Sequence, residues 1–136
     1  MAGTFSPQGV AAQTRSANKA CLFERPASPG VERICIRRNS YSADVCRAIE
    51  SFATEHDLPP EYFARLIWRE SLFRADAVSP KGAEGIAQFM PATAKLRGLK
   101  DSLDVVEALG ASSRYLSELR DQFGNLGLAA AAYNAG

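Results

Sequence analysis

Apolar residues after position 40 recur at intervals of three and four, which is the period of an amphipathic helix. Val45, Ile49 and Phe52 form the first such series, and Ser42 precedes it as a predicted N-cap. The spacing predicts a helix to about His56. Only short polar segments separate this series from the ones that follow, so we expect a compact, mainly α-helical fold.

Proline residues mark the boundaries of the next helices. Pro60 is expected to open a second helix that continues through Phe73, because proline is tolerated in a first turn. Residues 85–90 are expected to form a short helix that Pro91 interrupts, since the residue before proline disfavours the helical region. A further helix is expected through Leu96.

Capping residues predict two last helices. Asp104 and Glu107 stand three apart, as in a capping box, and precede a long amphipathic series that Gly124 should end. Asn125 is then positioned to cap a helix over residues 126–133.

The first 40 residues have a different composition, rich in Gly, Pro, Ser, Asn and Gln, with no sustained apolar period. We expect a flexible lead-in over 1–40 that is dispensable for activity, followed by one domain over 41–136. Residues 33–37 are compatible with a brief strand.

Composition excludes several functional classes. The formal net charge is +1, too small for a dedicated nucleic-acid binder. No stretch approaches the roughly 20 apolar residues of a membrane span, and residues 1–10 do not form a signal peptide. Cys21, Cys35 and Cys46 with one histidine do not make a zinc site, so we expect no metal and no cofactor.

The three cysteines leave two arrangements open. In an exported protein they allow one disulfide and one thiol, whereas in a reducing compartment all three are free. The sequence does not favour either arrangement.

Glu70 is the candidate catalytic residue. It follows Leu66 and Ile67 by four and three positions, which places its carboxyl on the apolar face of the second helix. Desolvation there favours the neutral acid and suits a general acid. Alternatively, Glu70 pairs with Arg69 or Arg74 and is structural.

Three blocks in order carry a family resemblance. They are Glu70-Ser71-x-Phe73, then Ala77-Val78-Ser79-Pro80-Lys81-Gly82-Ala83-x-Gly85-Ile86-x-Gln88-Phe89-Met90-Pro91-x-Thr93-Ala94, and Ala131-Ala132-Tyr133-Asn134-Ala135-Gly136. Over about 42–136 the chain resembles the soluble lytic transglycosylase family. The resemblance implies a lysozyme-like helical fold and cleavage of the β-1,4 bond between N-acetylmuramic acid and N-acetylglucosamine in peptidoglycan.

The resemblance also implies roles for single residues. Glu70 matches the catalytic glutamate, and the substrate-binding positions match Ser71, Gly85, Gln88, Met90, Tyr133 and Asn134, with Gly82 flanking the same turn. Each also has a structural alternative, such as a turn glycine, a core methionine, a core tyrosine or an asparagine C-cap.

In the resembled family one glutamate suffices and the product is a 1,6-anhydro sugar. A lysozyme-like hydrolase would need a second carboxylate, for which Asp76, Glu84 and Asp101 are candidates. A catalytically inactive peptidoglycan-binding or assembly module is a further alternative.

The resemblance also bears on context. The resembled domain normally continues beyond the last block, so we expect its C-terminal part to be missing here. Implied partners are glycan strands and proteins of the cell wall or of a secretion machinery, and the implied location is the periplasm or cell envelope.

Overall fold

The computed structural model describes residues 20–135, which form a two-stranded sheet and five helices. The elements in chain order are β1 (Cys21–Arg25), β2 (Ile34–Arg37), α1 (Tyr41–Glu55), α2 (Pro60–Ser71), α3 (Pro91–Leu96), α4 (Val105–Phe123) and α5 (Leu126–Ala135). The prediction of a mainly α-helical fold is confirmed. No helix among these residues is long and apolar enough to cross a membrane.

The core lies between α1, α2 and α4, where the apolar stripes predicted from sequence face one another. Its largest fully buried side chains include Ile49 from α1, Phe63 and Ile67 from α2, and Leu109 and Leu116 from α4. Burying each such side chain contributes roughly 1.5–3 kcal/mol relative to leaving it exposed. This burial anchors α2, the helix that contains Glu70, in the core.

Residues 20–40 are not a flexible lead-in. β1 and β2 pair antiparallel, and Cys21 is bonded to Cys35 with their Cα atoms 5.2 Å apart. Ile34 and Ile36 of β2 are buried in the core, which fixes the hairpin to the helices. The brief strand predicted at 33–37 is confirmed, and the lead-in prediction is wrong for this segment; residues 1–19 lie outside the described residues.

The start of α1 also differs from the prediction. Its N-cap is Ser40 rather than Ser42. The Ser40 hydroxyl donates to the buried Asp44 carboxylate over 2.7 Å, and the Arg37 backbone N–H donates to the same oxygen over 2.9 Å. Asp44 therefore joins β2 to the first turn of α1.

The second helix ends two residues before the predicted position. Leu72 caps α2 with φ of 54°, and Phe73 follows with φ of 64°, so both adopt the left-handed region. Neither is a residue that favours this conformation. The Tyr41 hydroxyl donates to the Phe73 carbonyl over 2.7 Å and holds the turn against α1.

The short helix predicted at 85–90 is wrong. Glu84 and Phe89 exchange backbone hydrogen bonds of 3.0 and 3.2 Å around a tight turn. Gly85 and Gln88 have φ of 80° and 53° in that turn, and these positive values are incompatible with a right-handed helix. Pro91 opens α3 rather than interrupting a helix, and α3 ends at Leu96, as predicted.

The predicted caps of the last two helices are confirmed, with one exception. Asp104 accepts from the Glu107 N–H over 3.0 Å, Gly124 ends α4 with φ of 80°, and Asn125 accepts from the Leu128 N–H over 2.7 Å. The reciprocal half of the capping box is absent, because the Glu107 carboxylate accepts from the Lys100 N–H instead, over 2.6 Å.

Candidate active site

Glu70 lies in the last turn of α2 and is half-buried. Burial raises the pKa of its carboxyl, and the nearby positive charge of Arg69 opposes that rise in part. Within residues 20–135 the carboxyl forms no ion pair and no side-chain hydrogen bond. The structural alternative, pairing with Arg69 or Arg74, therefore has no support in these contacts.

The Glu70 carboxyl opens into a pocket of about 380 Å³, called the Glu70 pocket below. One wall is the outer side of α2, and the other is the facing side of α5. The α2 wall consists of Glu61, Tyr62, Arg65, Leu66, Arg69 and Glu70, and the α5 wall of Ala130 and Asn134. The volume is within the usual range of small-ligand sites.

A hydrogen bond beside the pocket joins α5 to α2. The Tyr62 hydroxyl donates to the Leu126 carbonyl over 2.5 Å, which joins the two walls of the Glu70 pocket. Asn134, in the last turn of α5, is exposed on the pocket wall. Its amide is therefore open to a ligand that reaches Glu70.

Tyr133 is buried and does not line the Glu70 pocket. Its hydroxyl donates to the Ala87 carbonyl over 2.8 Å and shares a 2.9 Å hydrogen bond with Ser112. Burial raises the pKa of this phenol strongly; the Ser112 hydrogen bond opposes the shift and the nearby Glu70 charge adds to it. Tyr133 thus stays protonated and joins α4, α5 and the turn at 85–88.

Gln88 and Gly85 shape the loop between α2 and α3. The Gln88 side-chain amide donates to the Ala77 and Gly85 carbonyls over 3.0 and 2.7 Å. A Cβ on Gly85 would lie 1.9 Å from the Ser102 carbonyl oxygen, whereas one on Gly82 would meet nothing within 4 Å. The close approach at Gly85 is thus made by the chain's own backbone.

The family model for the transglycosylase SLT domain matches residues 47–136. This chain belongs to that family. The match begins inside α1 and includes every predicted site residue.

Several curated proteins are similar to this SLT domain. It is 31% identical over 88 residues to the transglycosylase of Enterobacteria phage PRD1, covering 65% of this chain and 33% of that protein. It is 31% identical over 96 residues to the membrane-bound lytic murein transglycosylase F of Cellvibrio japonicus, covering 65% of this chain and 19% of that protein. The chain therefore spans a third or less of these relatives' length.

The remaining predicted site residues differ in burial and in their distance from the pocket. The Ser71 hydroxyl is buried and donates to the Ile67 carbonyl over 3.3 Å. Met90 caps α3 and is 38% exposed, so it is not a core methionine. Among the predicted substrate-binding residues, Asn134 is the one that shares the Glu70 pocket.

The pocket also contains charged residues that were not among the predicted substrate-binding residues. Glu61, Arg65 and Arg69 follow one another at intervals of four on α2, and this spacing was the available signal. The second-carboxylate candidates Asp76, Glu84 and Asp101 do not line the Glu70 pocket. Among residues 20–135 no group of three or more acidic, histidine or cysteine side chains is arranged to hold a metal ion.

Proposed function

We propose that this SLT domain is a lytic transglycosylase that cleaves the β-1,4 bond between N-acetylmuramic acid and N-acetylglucosamine in peptidoglycan. The observation that carries the proposal is the Glu70 carboxyl, which is half-buried, has no ion pair within residues 20–135 and is open to a pocket. The family membership supports the reaction class, and the relatives named as murein transglycosylases support the substrate.

Glu70 performs both proton transfers in the proposed reaction. As the neutral acid it protonates the glycosidic oxygen, and the bond from that oxygen to the muramic C1 breaks. The resulting carboxylate accepts the proton of the muramic 6-hydroxyl as its oxygen bonds to C1. The products are a free 4-hydroxyl and a 1,6-anhydro end, and no water is consumed. The raised pKa suits the first step because it maintains the proton on Glu70.

The other site residues support this chemistry by position. Asn134 is placed to bind an acetamido group through its exposed amide. Gln88 uses its amide hydrogens within the loop, so its carbonyl oxygen remains as an acceptor for substrate. Ser71 and Tyr133 act on the substrate indirectly, by holding the end of α2 and the turn at 85–88.

The proposed location is the periplasm or another compartment of the cell envelope, where the substrate lies. The Cys21–Cys35 disulfide supports it, because disulfides persist in oxidising compartments and are rare in the cytosol. Relatives named as membrane-bound murein transglycosylases are consistent with this location. Cell-wall or secretion-machinery partners remain a proposal from the family resemblance.

Glu70→Gln tests the proposed function. The amide keeps the size of the side chain but transfers no proton, so release of anhydro-muropeptides from purified peptidoglycan should fall by about 100- to 10,000-fold. Glu50→Gln, an exposed change on α1, is the control and should retain the original rate.

Product mass separates the proposal from its alternatives. An anhydro product is one water lighter than the product of a lysozyme-like hydrolase, which contains a reducing end. A module that only binds peptidoglycan would release neither product, although the folded protein would sediment with the glycan. A Glu70→Gln protein that cleaves at the original rate would contradict the assigned role of Glu70.

A further inference from the structure

Arg65 and Arg69 place two positive charges on the wall of the Glu70 pocket. They are four residues apart on α2, so their side chains leave the helix from the same side, one turn apart. Both are exposed. Within residues 20–135 neither forms an ion pair or a side-chain hydrogen bond, so both guanidinium groups are available to a ligand.

The position of this pair relative to Glu70 limits what it can bind. The Arg69 charge is near enough to act on the Glu70 carboxyl, and Arg65 lies one turn farther along the same wall. In the proposed reaction Glu70 acts on the scissile bond, so a substrate group bound by both arginines belongs to a part of the substrate close to that bond. Guanidinium groups match carboxylates in shape and charge, and they bind them through paired hydrogen bonds.

Peptidoglycan offers carboxylates beside the scissile bond on the peptide stem of N-acetylmuramic acid. We propose that Arg65 and Arg69 bind carboxylates of this stem and make the enzyme selective for stem-bearing strands. Glu61, one turn beyond Arg65, adds a negative charge at the far end of the arginine pair, which suits a stem that also contains an amine. The inference rests on the proposed function, since it assigns a substrate feature to the same pocket.

The test compares Arg65→Gln/Arg69→Gln with the original protein on two substrates. One is stem-bearing glycan, and the other is the same glycan after removal of the stems by an amidase. The ratio of kcat/KM for stem-bearing to stem-free glycan should fall about tenfold in the double variant, the value of one lost charge-assisted hydrogen bond. Using a ratio cancels any effect of Arg69 on Glu70 itself.

Arg38→Gln/Arg114→Gln is the matched control, because it removes the same charge from exposed positions outside the Glu70 pocket. Its ratio should equal that of the original protein. An unchanged ratio in the Arg65/Arg69 variant would overturn the inference. An equal loss on both substrates would also overturn it, because the free lactyl carboxylate of stem-free strands would then be the bound group.

Binding separates failure of this inference from failure of the proposed function. In a Glu70→Gln background, titration with a stem-bearing disaccharide fragment should show about tenfold weaker binding when both arginines are replaced. Binding of the stem-free disaccharide sets the reference. If the original protein cleaves neither glycan but the arginine replacement still weakens binding of the stem-bearing fragment alone, the proposed reaction is contradicted and stem recognition is supported. Equal loss of binding for both fragments would contradict stem recognition.

Discussion

At the scale of single residues, two opposing influences set the protonation of Glu70. Burial favours the neutral acid, and the adjacent Arg69 charge favours the carboxylate. The net pKa is raised, so the neutral acid is favoured over the carboxylate more strongly in the folded protein than in the unfolded chain. Its contribution to stability is therefore present at low pH and is lost as pH rises through the folded-state pKa.

Arg69→Gln should move the alkaline limb of the kcat–pH profile to higher pH. Without the nearby positive charge the Glu70 pKa rises further, and the protonated acid persists at higher pH. The measurement is the pH dependence of anhydro-muropeptide release, with Arg114→Gln as the control. A shift toward lower pH would show that Arg69 does not stabilise the Glu70 carboxylate.

Gly85→Ala should destabilise the protein by about 2–4 kcal/mol, because the new Cβ meets the Ser102 carbonyl and the residue has positive φ. Gly82→Ala is the matched control, since it has positive φ but open space around it, and it should cost about 1 kcal/mol. Urea unfolding gives both values. Equal losses would mean that Ser102 moves aside.

At the scale of elements, the hairpin is part of the domain core. Ile34 and Ile36 are buried, and Asp44 ties β2 to α1 through the Arg37 backbone. The expectation that residues 1–40 are dispensable therefore conflicts with the packing of 20–40. The hairpin behaves as one layer of the domain although it precedes the residues matched by the family model.

A chain beginning at Tyr41 should be less stable than one beginning at Ala20 by about 3–6 kcal/mol. The estimate is the burial of two isoleucine side chains, each contributing about 1.5–3 kcal/mol. Thermal unfolding of the two chains, with activity measured well below both transitions, makes the comparison. Equal melting temperatures would show that the hairpin contributes nothing to the core.

Local signals and distant contacts explain which elements the sequence predicted. The caps predicted at Asp104, Gly124 and Asn125 were correct, because a cap depends on hydrogen bonds to residues only a few positions away. The helix expected at 85–90 was wrong because Gln88 adopts positive φ, which its loop contacts with Ala77 and Gly85 stabilise and its residue type does not indicate. The strand at 33–37 was predicted from its residue types, but its pairing with β1 was not.

The site shows the same division. The place of Glu70 on an apolar face follows from helical spacing alone, so the raised pKa was predictable. The direction of the Tyr133 hydroxyl was not, because it depends on Ser112 and Ala87, which are distant in sequence. The charged wall at Arg65 and Arg69 was also not predictable, because only the structure shows that α5 faces this side of α2.

At the scale of the whole molecule, the Tyr133 hydroxyl connects three parts that surround Glu70. It bonds the turn at 85–88 through Ala87 and α4 through Ser112, while its own backbone belongs to α5. All of these groups are buried, so each loses its partner if the hydroxyl is removed. One phenol thus links the loop, α4 and α5.

Tyr133→Phe should cost about 1–3 kcal/mol, because it leaves buried polar groups of Ser112 and Ala87 without this partner. Tyr115→Phe is the matched control: within residues 20–135 its hydroxyl has no side-chain hydrogen bond, and its loss should change stability by less than about 0.5 kcal/mol. The Ser112→Ala/Tyr133→Phe double variant should lose less than the sum of the single losses. Strict additivity in urea unfolding would argue against coupling.

The disulfide leaves one reactive position on this molecule. Cys21 and Cys35 are consumed by the bridge, and Cys46 is exposed on α1 with a free thiol. A maleimide dye or spin label would therefore attach at a single known point without mutagenesis. The same thiol makes storage in air a route to covalent pairs of molecules, which a mild reductant or alkylation of Cys46 would prevent.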